Sequence, residues 1–194
     1  FPPVIAALWT AGMGWYIHFQ ATSKNHRTTN SFNLVMQTRT SKEFLERTRL
    51  VQAVYPFGTK IPQEDSAHFG TTAMRDLQIS RDGATVNLPP GVPPADFSAI
   101  ERKVVAIDSL KYLLNYYEFM AVGIAANDLE EGMLYETISE NVCSLYERAE
   151  NYIEHTQANG QPLAFSSLGA LVKRWRKMLE DEKHQLLHGV QIGD

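Results

Sequence analysis

The longest uninterrupted helix-period pattern in the chain runs from Asp96 to Ile124, DFSAIERKVVAIDSLKYLLNYYEFMAVGI, and it limits what the remainder can be. Ile100, Val104, Ile107, Leu114, Tyr117, Ala121 and Ile124 recur at helical spacing and form one apolar stripe. Val105, Tyr112, Tyr116 and Phe119 widen that stripe, so the helix must pack on more than one neighbour. Pro93 and Pro94 cannot continue a helix upstream, Asp96 can cap the first turn, and Gly123 falls near the end. A helix buried on two sides makes this the central element of a bundle.

The text that follows supplies partners. Ala126, Asn127 and Asp128 read as a turn and cap before LEEGMLYETISENVCSLYERAENYIEHT, whose stripe is Leu134, Ile138, Val142, Leu145, Tyr146 and Ile153. Short connection and matching length predict an antiparallel hairpin with the central helix. Asn159 and Gly160 end it. Pro162 suits the first turn of a last helix carrying Leu163, Phe165, Leu168, Leu171, Val172, Trp175 and Leu179. No alternating strand series and no internal repeat occur. The expected class is all-α, an antiparallel bundle built on Ala95–Ile124, Leu129–His155 and Pro162–Leu186.

Upstream, two domains of text are expected, 1–28 and 29–194. Residues 3–19 carry no formal charge and contain Trp9, Trp15, Tyr16 and Phe19. A bilayer span needs about 20 apolar residues. Aromatics near its end and Lys24, His26 and Arg27 beyond it fit an inner-membrane anchor facing the cytoplasm. The alternative is an apolar helix buried in a subunit interface or core, with a cytoplasmic protein. No basic start and small-residue cleavage site mark a signal peptide. A polar joint, ATSKNHRTTN, then leads to helices at about Ser31–Gln37 and from a capping box at Thr40 to Glu43 onward, stopping before Pro56. Residues 56–95 are irregular and rich in Pro and Gly. Within them 72–79 reads as a short helix or turn, 81–83 as a turn and 84–88 as extended, and the whole as an insertion wrapping the surface.

Charge divides the chain. Residues 1–60 hold seven Lys/Arg against two Asp/Glu, while the whole chain carries a net charge of −4. Arg39, Lys42, Arg47 and Arg49 can therefore face anionic lipid or a partner, or simply solvent. The single cysteine, Cys143, excludes an internal disulfide and a cysteine-rich zinc site and fits a reducing compartment.

Three constellations bear on chemistry. Glu180, His184 and His188 share one helical face at spacings of four, which suits zinc, but the glutamate directly after the first histidine of a metalloprotease helix is absent. Asn115 and Glu118 interrupt the central stripe, and a buried carboxylate needs partners, so a structural polar network with Arg174 and Arg176 is expected. Cys143 sits in an apolar face with no histidine in helical reach, as a core thiol does. No Walker-type loop, G-x-G-x-x-G after a strand, G-x-S-x-G or paired Asp motif occurs. No catalytic residue and no cofactor are assigned, and no specific small molecule is implied.

LLNYYEFMAVGIAANDLEEGMLYETISENVCSLYERAENYI, with Arg174 and Trp175 downstream, resembles the bacterial and phage domain-of-unknown-function family 4760. The resemblance is carried by an L-N-Y-(Y/F)-E-F-x-A-V-G-I motif at 114–124 and covers about 110–176 well. It implies an apolar amino-terminal segment, a basic helix and a helical body, and supplies no catalytic residues. It also favours the membrane anchor over the buried helix and a phage, prophage or bacterial accessory role.

The expectation is a non-enzymatic helical interaction or regulatory protein, of phage, prophage or defence-related type. It would act by binding another protein or by self-association. A metal-dependent hydrolase using Glu180, His184 and His188 is the second class. A nucleic-acid-binding accessory protein using the 39–49 helix is the third, disfavoured by the absence of a recognised module.

Overall fold

The computed structural model describes residues 2–69 and 97–189, with side chains over 21–67, 69 and 99–186. Its described elements are all helices: α1 Pro2–Thr40, α2 Lys42–Val54, α3 Gln63–His68, α4 Phe97–Ala125, α5 Glu131–Arg148, α6 Glu150–Ala158 and α7 Ser166–Gly189. The expected all-α class stands. The segments 72–79, 81–83 and 84–88 lie outside the described residues.

α4 is the expected central helix, and it packs chiefly on α2 and α7 rather than on α5. The predicted pairing with the following helix is present, but that helix is not its main packing partner. The reason lies in the aromatic residues at 116 and 117, which meet α2 instead. Phe44 stands edge-on to Tyr116 and Tyr117 at 5.1 and 6.0 Å between ring centroids, a geometry that adds to simple area burial. Chain direction still alternates: Asp108 neighbours Tyr152 and Glu118 neighbours Tyr146, so α4 runs against α5 and α6. Behind these, Trp175, Leu110, Leu114, Met120 and Leu134 are fully buried. Each contributes about 1.5–3 kcal/mol by leaving water.

The polar joint is also corrected. Residues 21–30 are helical, and α1 is one helix of 39 residues, about 58 Å at 1.5 Å per residue. Its polar side chains serve remote helices. The Ser31 hydroxyl accepts the Glu130 N–H at 2.7 Å, capping α5, which has no side-chain cap of its own. Arg27 donates to Asn127 in the α4–α5 turn. The Tyr116 hydroxyl donates to the Leu34 carbonyl at 2.9 Å. Burial, then Tyr112, raises that phenol to about 12, so it remains a donor. Among the described residues, no helix is long and apolar enough to cross a membrane.

Local boundaries shift for physical reasons. Ser41, not Thr40, caps α2 by accepting the Phe44 N–H at 3.3 Å, because the Thr40 hydroxyl donates to the Met36 carbonyl. Glu43 pairs with Arg47 instead of closing a capping box. The long helix after the turn breaks at Ala149, whose N–H is shared between the Leu145 and Tyr146 carbonyls. The last helix begins at Ser166, not Pro162, since Phe165 adopts a positive φ of 58° just before it.

The irregular connection is not wholly a surface wrap. Ile61 is completely buried, its N–H donates to the Arg148 carbonyl at 2.9 Å, and its own carbonyl accepts from Asn151 at 2.7 Å. Asp65, also buried, accepts from the Tyr55 hydroxyl at 3.0 Å and from Lys103 at 2.9 Å. Residues 55–69 thus close one end of the bundle against the α5–α6 junction.

Candidate binding cleft

Glu118 gives the simpler of two charged features. It lies beside the apolar stripe of α4, where the start of α7 approaches. Its Oε1 accepts the Ser167 N–H at 3.1 Å and its Oε2 the Leu168 N–H at 2.7 Å. Those are orphan donors at a helix N-terminus, where the helix dipole also favours a negative charge. The expected network with the arginines is therefore corrected. Arg174 and the Trp175 indole both donate to Glu131, at 2.8 and 2.9 Å. Arg176 approaches Glu147 at 3.9 Å, and Asn115 is exposed and joins none of these contacts. The four residues do not form one network, because the backbone of α7 reaches Glu118 first.

Arg148 is the second feature. It falls three residues after Leu145 on the inward face of α5 and is only 3% exposed. Its Nε and Nη2 are buried and have no hydrogen-bond partner. Desolvation lowers its pKa. A guanidinium nevertheless stays charged, so a buried cation stands here without a carboxylate partner among the described residues. Its one side-chain contact of note is the Phe57 ring, 4.6 Å from the guanidinium carbon. Phe57 itself is 60% exposed, in the turn after Pro56.

Arg148 lines a cleft of about 200 Å³ between α2, α4 and α5, with the end of α1 at its rim. Apolar walls come from Phe44, Val51, Leu113, Tyr117, Ile138 and Leu145. The polar lining is Thr38, Arg39, Thr48, Gln52, Thr137 and Asn141, with no acidic residue. The threonine hydroxyl hydrogens go to their own helices: Thr38 to the Val35 carbonyl, Thr48 to Phe44 and Thr137 to Met133, at 2.6–2.8 Å. Two arginines thus line a cleft without an acidic residue in its lining, inside a chain of net charge −4, and the local potential there is positive in character.

The remaining sequence-derived residues fall elsewhere. Arg47 is absorbed by Glu43 at 3.1 Å, Asp108 at 3.0 Å and the Tyr112 ring at 4.4 Å, so it does not face outward with Lys42 and Arg49. Arg39, exposed, borders the cleft. Cys143 is a buried free thiol, pushed up by burial. Glu180 and His184 are exposed, and the His188 side chain lies outside the described ones. No group of three His, Cys, Asp or Glu that could hold a metal ion occurs among the described residues. Trp9, Trp15, Tyr16 and Phe19 lie on the helical backbone of α1, with side chains outside the described ones. Sequence reading missed Arg148, although a charge at i+3 from a stripe residue was a usable signal.

The model of the family described as a domain of unknown function (DUF4760) matches residues 3–175, and the chain belongs to that family. No curated protein and no solved structure matches it.

Proposed function

We propose that this member of the family is a non-catalytic helical binding protein whose cleft between α2, α4 and α5 takes an anionic group. One observation carries the reading: Arg148 is a buried guanidinium whose Nε and Nη2 have no partner, with no carboxylate in reach among the described residues. An uncompensated buried charge costs several kcal/mol of desolvation. Proteins retain such a cost at sites that meet something from outside. Among the residues lining the cleft there is no nucleophile paired with a base, so the reading is recognition rather than reaction.

The test is thermal unfolding at constant ionic strength, with simple anions titrated against wild type and Arg148→Met. A saturable rise in melting temperature for wild type alone supports the reading. Equal responses in both proteins, or none, remove it.

A second reading concerns attachment. α1 is a single helix joining the apolar text at 2–20 to the body, which suits docking on a partner protein. Deleting residues 1–22 should then abolish co-purification with that partner while leaving the fold intact by circular dichroism.

A further inference from the structure

We infer that the occupant of the cleft is a small monocarboxylate with a short apolar tail, and that Phe57 is the lid it displaces. The inference rests on the anion reading above and goes further in naming the ligand's chemistry.

The unpaired atoms of Arg148 are Nε and Nη2. Together they form one edge of the guanidinium, whose two parallel N–H groups match the two oxygens of a carboxylate. A phosphate would need further donors for its remaining oxygens, and beyond Arg148 the lining offers only Arg39, Gln52 and Asn141, the rest of its polar groups being threonines. The hydroxyls of Thr38, Thr48 and Thr137 already donate to helix carbonyls. The α2 amides that reach the lining are taken as well, Phe44 N–H by the Ser41 hydroxyl and Leu45 N–H by the Ser41 carbonyl. The space next to the cation is walled by aliphatic and aromatic side chains. At about 200 Å³ it is smaller than pockets for drug-sized molecules, which run to roughly 300–1,000 Å³. One charged head and one compact apolar tail fill that description.

Access follows from burial. Nε and Nη2 are shut off from solvent, so a ligand must move whatever covers them. Phe57 is the movable cover: its ring lies over the guanidinium yet is mostly in solvent. It sits between Pro56 and Gly58, whose φ of 78° marks a turn. That turn is held by two bonds from Thr59 to the Pro56 carbonyl. Replacing a cation–π contact by a charge-assisted bidentate pair favours the open, liganded form.

Benzoate, hexanoate, methyl benzoate and inorganic phosphate serve as probes, measured by calorimetry at constant ionic strength. Wild type should bind benzoate and hexanoate, bind the uncharged ester at least 10-fold more weakly, and give no signal with phosphate. Arg148→Met, and Arg148→Lys as a charge-retaining control, should each lose at least 10-fold in benzoate affinity while remaining folded by circular dichroism. Phe57→Ala should associate faster in stopped-flow fluorescence. Binding of phosphate without either carboxylate overturns the ligand class and leaves the anion reading standing. Silence with every anion overturns both. An unchanged association rate in Phe57→Ala overturns the lid.

Discussion

Glu118 and Arg148 are the same kind of feature at two places: a formal charge carried by a helix on its packing side. Glu118 is met within the chain by two amides at the start of α7. Arg148 is more deeply buried, yet its Nε and Nη2 meet nothing. The difference teaches how to read a buried charge. One that is fully taken up by backbone orphans is a structural joint, and its removal should cost stability. One that the fold leaves unpaired is already a cost, and its removal should not.

The largest break in that comparison is Glu118→Ala. Loss of two charge-assisted bonds and of the favourable dipole contact at α7 should lower unfolding free energy by about 2–3 kcal/mol. Urea denaturation measures this directly. A loss below about 0.5 kcal/mol would make Glu118 as idle as a surface acid.

Gln52→Glu sharpens the contrast from the other side. Gln52 lines the same cleft as Arg148. An internal carboxylate there should raise stability by about 1 kcal/mol and remove the response to benzoate. Smallest of all should be the stability change in Phe57→Ala, within about 0.5 kcal/mol, since the ring is mostly exposed. Alongside these, Cys143 should react with a thiol reagent only on unfolding, because burial both hides it and raises its pKa.

What was legible in the sequence was whatever local periodicity controls. Phe97–Ala125 matches the stretch read as central, and the stop before Pro56 and the core position of Cys143 follow from the same logic. Polar residues at 21–30 looked like a joint because the partners of such residues, like those of Ser31 just after them, are about a hundred residues away. Ser31 serves Glu130 and Arg27 serves Asn127, and no local pattern announces such pairs. The Glu118 partners were missed for a related reason. Side chains were matched with side chains, whereas the groups in need were backbone amides of a helix start. Arg148 was within reach of the argument applied to Glu118, but its meaning depends on an absence of acids among its described spatial neighbours. That absence exists only in three dimensions.

Whether Arg148 is a buried charge awaiting a partner from outside is decided by urea unfolding of Arg148→Met without added ligand. Methionine fills similar space with no charge to desolvate. The variant should be more stable than wild type by about 1–3 kcal/mol. A variant less stable than wild type by a similar amount would mean that the guanidinium is structurally satisfied and awaits no outside partner.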